Sequence, residues 1–205
     1  LLRFSEIRSI PGVCLEDFEM GRLAAGHLLQ QGASQFIYFA SDGVHFNELR
    51  RRGFLQALGN RPCTTLKPGP LLSQQIASIN YSGAQPGVFC ASDRLARQYI
   101  LEARQLGLEC GRHFLLASID NDPTESVFAG TGITSFEPPM HACGTLAAKL
   151  LQEALAGMPP PTPAVHLVGP ARLIVRDSSL PSRTARIAQA ALNHINEHFT
   201  DPALD

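Results

Sequence analysis

Three short and uninterrupted apolar runs, FIYFA (36–40), VFCA (88–91) and FLLASI (114–119), are separated by stretches long enough for a helix. A strand with one wet face alternates apolar and polar residues. A continuous run therefore predicts a strand covered on both faces, with the intervening helices as the cover. The intervening patterns agree. Glu19 to Gln31 repeats Met20, Leu23, Ala24, His27 and Leu28 on one helical face and stops at Gly32. The segment 46–58 reads as a helix, a short strand is expected near 64–66, and 71–80 is a further helical stretch. After Asp93, the residues Ala96, Tyr99, Ile100, Ala103 and Leu106 recur at helical spacing up to Gly107. The expectation is an α/β fold with a doubly wound parallel sheet.

Two of these runs end in acids: GVFCASDR (87–94) at Asp93 and HFLLASIDND (113–122) at Asp120. In open parallel sheets ligands bind beyond the carboxyl ends of the strands, where both acids are expected. A carboxylate accepts several hydrogen bonds and suits a ligand rich in hydroxyl donors. Asp93 also stands where it would cap the next helix, and Asp is a good cap. No helix is evident directly after Asp120, where Pro123 and Thr124 intervene, and this favours ligand contact there. Asn121 and Asp122 fit a turn. Arg50 opens a basic triplet whose members point in different directions on a helix, so one or two reach the crevice and the others are solvated. Phe46 offers a flat apolar face to a ligand or packs inside.

Further along, 133–136 reads as a strand, and 142–156 as an amphipathic helix with Leu146, Leu150, Leu151 and Leu155 on its buried side. The PPPTP run at 159–163 is a stiff linker. VHLVG (165–169) and RLIV (172–175) are strands meeting at a Gly–Pro corner, and RDSSLPSRT is a polar hinge before a final helix at 185–199. With 17 basic and 18 acidic residues, the net charge of −1 opposes unaided nucleic-acid binding, because phosphate neutralisation needs a basic face. The 5 scattered cysteines form no CxxC pair and read as reduced cytosolic thiols. HINEH (194–198) matches an inverted zinc-peptidase pattern, but no later Glu or His supplies a third ligand. A zinc hydrolase is thus the weaker alternative. No metal, cofactor or enzymatic chemistry is expected, since nothing pairs a nucleophile with a base.

The segments EMGRLAAGHLLQQGASQFIYFA (19–40), ELRRRGFLQAL (48–58), CASDRLARQYILEARQLGLECGRHFLLASIDND (90–122) and ITSFEPPMHACGTLAAKLLQEALAGMPPP (133–161) resemble the sugar-sensing domain of LacI/GalR-type regulators. ARLIVRDSS (171–179) followed by AALNHINEHFTDPALD (190–205) is similar to the xylose-operon regulators within that group, where the sensor precedes an AraC-type DNA-binding domain. The resemblance implies a periplasmic-binding-protein-like sensor of two α/β lobes with a sugar between them. It places Arg50 and Asp120 on the sugar hydroxyls, puts Phe46 where close relatives carry an aromatic, and sets Asp93 after a position, Ser92, where many relatives have Asn. Pro138 stands where some sugar binders have Gln.

The resemblance further implies a pentose effector and operator DNA bound through a region C-terminal to this chain. The helix at 138–157, deprived of its lobe, is expected to show a leucine-rich face, so a homodimer or other self-association is expected, and the location is expected to be cytoplasmic. A transport-type sugar-binding protein is the alternative of the same fold. Without an initial methionine or signal peptide, and ending at PALD, the chain reads as a fragment. Residues 1–178 are expected to be the sensor, incomplete at its N-terminus. Residues 179–205 are expected to be a hinge and the first helix of the DNA-binding domain. The larger lobe is expected to comprise 11–135 and 163–177, with the helix at 138–157 belonging to the other lobe.

Overall fold

Strand β2 (Phe36–Phe39) is buried at every position, because its side chains alternate between two helical layers. Phe36 and Tyr38 meet Phe54 at ring-centroid separations of 6.1 and 6.2 Å, while Phe39 points the other way onto Tyr99 at 5.8 Å. This is the two-sided cover that the apolar run predicts. The computed structural model describes residues 12–81, 85–159 and 164–182, together with Ile187, Ala191, His194 and Ile195.

The chain runs β1 (Gly12–Leu15), α1 (Asp17–Gln30), β2, α2 (His45–Leu58), β3 (Cys63–Leu66), α3 (Leu72–Ala77), β4 (Gly87–Cys90), α4 (Asp93–Gln105) and β5 (Leu115–Ile119). It continues with α5 (Pro123–Ala129), β6 (Thr134–Glu137), α6 (Met140–Leu155), β7 (Val165–Val168) and β8 (Arg172–Ile174). Six strands form one sheet in the order β3-β2-β4-β5-β6-β8, parallel except for β8, which runs antiparallel to β6. Register aligns Phe39 with both Leu66 and Cys90, and Ile119 with Phe136. The carboxyl ends of the parallel strands therefore share one edge, as the doubly wound reading requires.

Two glycines bring α1 and α2 into backbone contact. A Cβ on Gly21 would lie 1.9 Å from the Arg50 carbonyl oxygen, and one on Gly53 would lie 1.9 Å from that of Phe18. No larger residue fits at either position without separating the helices.

Of three expectations, the first and third change. First, β7 pairs in parallel with β1 as a separate two-stranded sheet, whereas β8 joins the large sheet. The chain thus crosses between sheets at Gly169–Pro170, and neither β1 nor β7, both expected in the larger lobe, joins the large sheet. Second, the leucine face of α6 is largely uncovered, as expected of a helix deprived of its lobe: Leu150 is buried, but Leu151 is 62% and Leu155 81% exposed. Periodicity locates an apolar stripe without supplying anything to pack on it. Third, residues 176–182 are not a free hinge, because Ser178 and Ser179 are fully buried in a 3-10 turn. The expected final helix at 185–199 falls mostly outside the described residues. The five cysteines are unpaired, and no described helix is long and apolar enough to cross a membrane.

The glycine contact has a direct test. Gly21→Ala and Gly53→Ala are each expected to lower unfolding stability by about 3 kcal/mol, the upper end of ordinary overpacking costs. Gly26→Ala in the same helix α1 meets nothing within 4 Å and is expected to gain about 1 kcal/mol from helix propensity. Urea midpoints of the three variants measure this, and equal effects at all three positions would refute the close-contact account.

Candidate functional site

The floor of the crevice is built where β2, β4 and β5 end. Arg50 reaches it from α2. Its Nε donates to Asp17 Oδ1 at 2.7 Å, and its Nη1 donates to the Ala91 carbonyl, just past β4, at 2.7 Å. These bonds use two of the five guanidinium donors. The same group lies over the Phe46 ring, 4.7 Å from its centroid, within cation–π range. Phe46 is 45% exposed, so the ring is held in place by the cation yet remains partly open. Arg50 itself is buried at 5% exposure. Burial raises the Asp17 carboxyl above its ordinary pKa, and the charge and hydrogen bond of Arg50 oppose that rise.

Asp120 follows β5 directly and adopts φ 120°, with Asn121 at φ 53°. Both values fall in a region that side-chain-bearing residues resist. The Asp120 amide donates to the Phe136 carbonyl at 3.0 Å. Its carboxyl pKa is raised to about 6, chiefly by desolvation, with the Asp93 charge adding to the rise. Arg50 and the Asp93 backbone amide pull the other way. The residue as a whole is exposed, so its carboxyl loses only part of its hydration to the surrounding walls, and solvent screening limits the energetic consequence.

Asp93 and Ser92 are engaged differently from expectation. The cap of α4 is Ser92, whose Oγ accepts from the Leu95 amide at 3.3 Å. Asp93 is the first helical residue and is 1% exposed. Its Oδ1 accepts from the Ser118 and Ser135 hydroxyls, the latter at 2.7 Å, and its Oδ2 accepts from the Asp122 amide at 2.7 Å. Burial raises its pKa, and the two hydroxyls oppose that. Asp93 therefore supports the floor from beneath. Arg50 stacks on Phe46 and lies near enough to Asp120 to lower its pKa, whereas Asp93 and Ser92 accept from the protein's own donors.

A helix does follow Asp120. Asp122 caps α5, its Oδ1 accepting from the Thr124 amide at 2.8 Å, and Pro123 occupies the first turn. Proline at that position lacks only an amide that would be unpaired anyway. Sequence reasoning missed Asp17, which reads as an ordinary acid in a helix's first turn; no spacing rule points to a partner 33 residues away. A cavity of about 270 Å³ lies between the start of α2 and β3, lined by Tyr38, Ser41, Asp42, Asn47, Thr65 and Lys67 among others. It contains none of the predicted site residues. No group of three His, Cys, Asp or Glu side chains suited to a metal occurs among the described residues. His198 of the HINEH motif lies outside them.

A family model for the periplasmic binding protein-like domain matches residues 25–179. The chain belongs to that family. A LacI family transcriptional regulator from Mycobacterium smegmatis superposes with a TM-score of 0.71 at 22% identity, covering 86% of this chain and 69% of that one. A LacI family transcriptional regulator from Enterococcus faecium, solved with bound ribose, gives 0.70 at 25% identity, covering 87% and 68%. The HTH-type transcriptional regulator MalR of Streptomyces coelicolor is 34% identical over 92 residues, 45% of this chain and 26% of MalR. The match thus spans about a quarter of that curated relative.

Within this periplasmic binding protein-like domain, Asp120 leaves a pH signature. A folded pKa of about 6 against an ordinary 3.8 means that the folded state holds the proton more tightly. The contribution of Asp120 to stability therefore falls as pH rises from about 4 to 6 and stays unfavourable above that. Asp120→Asn is expected to melt higher than the wild type at about pH 7.5, with the gain gone by about pH 4. An equal gain at both pH values would show that the shift is not the cause.

Proposed function

We propose that this chain is the effector-binding portion of a sugar-responsive transcription regulator and that its effector is a small neutral pentose. The observation that carries the reading is the grouping of a strained, partly desolvated carboxylate at Asp120 with the clamped guanidinium of Arg50 and the half-open ring of Phe46. Sugar hydroxyls donate to Asp120, the remaining Arg50 donors reach sugar oxygens, and Phe46 lies along an apolar C–H face of the ring. Asp17 neutralises Arg50, so the crevice carries no surplus positive charge to attract a phosphorylated ligand. The ribose held by the Enterococcus faecium relative supports a pentose. With a net charge of −1, the chain leaves operator contact to a separate region, and the resemblance of 171–179 and 190–205 to xylose-operon regulators implies that this region is a DNA-binding domain of the AraC type. Xylose is the effector that this arrangement favours.

Binding shifts a conformational equilibrium only through its differential affinity for the two states. Because Asp93 is committed internally, two charged groups remain for the ligand. At about 1.5–3 kcal/mol each they supply roughly 3–6 kcal/mol, short of the ~8 kcal/mol of micromolar binding. Calorimetric titration of the 205-residue chain with D-xylose, D-ribose and D-ribose 5-phosphate tests the reading. Millimolar binding of a neutral pentose, abolished by Asp120→Ala, is expected. Tighter binding of the phosphate ester, or pentose binding unaffected by the substitution, would contradict it.

A further inference from the structure

The turn that presents Asp120 is held in part by a residue far along the chain. Within it, the Asn121 amide donates to Ser135 Oγ at 2.9 Å and the Asp122 amide to Asp93 Oδ2 at 2.7 Å. The Asn121 carboxamide is gripped at both ends. Its Nδ2 donates to Glu137 Oε1 at 3.2 Å, and its Oδ1 accepts from Arg176 Nη2 at 2.6 Å. The other arm of Arg176, Nη1, donates to the Ile133 carbonyl at 2.7 Å. A planar guanidinium can bridge two such acceptors, whereas an ammonium cannot do so in the same geometry.

Arg176 is also the first residue of a segment seated deep in the sheet. Its amide donates to Thr134 Oγ1 at 2.8 Å. Ser178 Oγ donates to the Leu116 carbonyl at 2.8 Å and accepts from the Thr134 amide at 2.7 Å. Ser179 Oγ lies 2.7 Å from both Thr134 Oγ1 and His27 Nε2. The Ser182 amide reaches the Gly111 carbonyl at 2.6 Å. One hydrogen-bonded network therefore runs from the crevice turn, through Arg176, to the strap 176–182, from which the chain continues beyond the sensor.

We infer that Arg176 couples the Asp120–Asp122 turn to the seating of strap 176–182. A ligand held on Asp120 tightens the strap, and an unseated strap loosens the crevice. The coupling is reciprocal, as any equilibrium linkage must be. The ligand half of this inference rests on the sugar-binding reading; the link between turn and strap does not. Arg176 acts here as a positioning residue, through Asn121.

Residue-resolved amide hydrogen exchange without sugar tests the link. Arg176→Lys keeps the charge and loses the fork. It is expected to accelerate exchange at Asn121, Asp122, Ser178 and Ser182 by at least about tenfold, the scale of one lost charge-assisted hydrogen bond. Ile37 in β2 and Phe89 in β4 are expected to stay within about twofold. Asn121→Gly cuts the link from the crevice side and suits the positive φ; it is expected to accelerate Ser178 and Ser182. Acceleration confined to the side that carries the substitution, equal acceleration throughout the sheet, or none at all would overturn the coupling. None of these results depends on whether a pentose binds.

Discussion

The backbone contact of α1 with α2 sets the geometry of the crevice. With Gly21 against the Arg50 carbonyl and Gly53 against that of Phe18, the two helices approach more closely than side chains allow. That approach puts Asp17 beside Arg50, with both nearly dry. A buried ion pair has to offset the desolvation of two charges, and it does so only with short, well-directed bonds. Arg50 meets the condition with Asp17 on one side and the Ala91 carbonyl on another. The result is a cation fixed in direction by the protein itself. Under the proposed function, fixing it beforehand would remove an ordering cost from binding.

The second support is the buried carboxylate of Asp93. Two hydroxyls and one amide satisfy it, and through the Asp122 amide it anchors the turn that strains Asp120. The two acids thus divide the work by environment. Asp93 is spent on the protein, while Asp120, at the end of the neighbouring strand β5, keeps a carboxyl that is partly desolvated and open to partners.

Much of this was legible in the sequence. The runs at 36–40, 88–91 and 114–119 are strands because such segments have few alternatives, and periodicity located α1, α2 and α4 to within a few residues. Arg50, Phe46 and Asp120 were picked out as candidates by their positions near strand ends, and their contact with a ligand is the proposal made above. What escaped was set by tertiary contact. Nothing local distinguishes Asp93 from its neighbour Ser92 as the cap, since both residue types suit it. The polar RDSS segment reads as a hinge until Thr134, Leu116 and His27 are found around it. Asp17 depends on a helix crossing that two glycines permit, a pairing that no window of a few residues contains.

The central proposal is spatial: a pentose would sit over Asp120, alongside the stacked Arg50 and Phe46. Two-dimensional amide NMR of this chain during titration with D-ribose and D-xylose addresses it most directly. The account predicts progressive shifts concentrated at Phe46, Ala91, Asp120 and Asn121, with Lys67 and Thr65 beside the separate cavity unmoved. Shifts clustered around Thr65 and Lys67, or none at the end of β5, would contradict it.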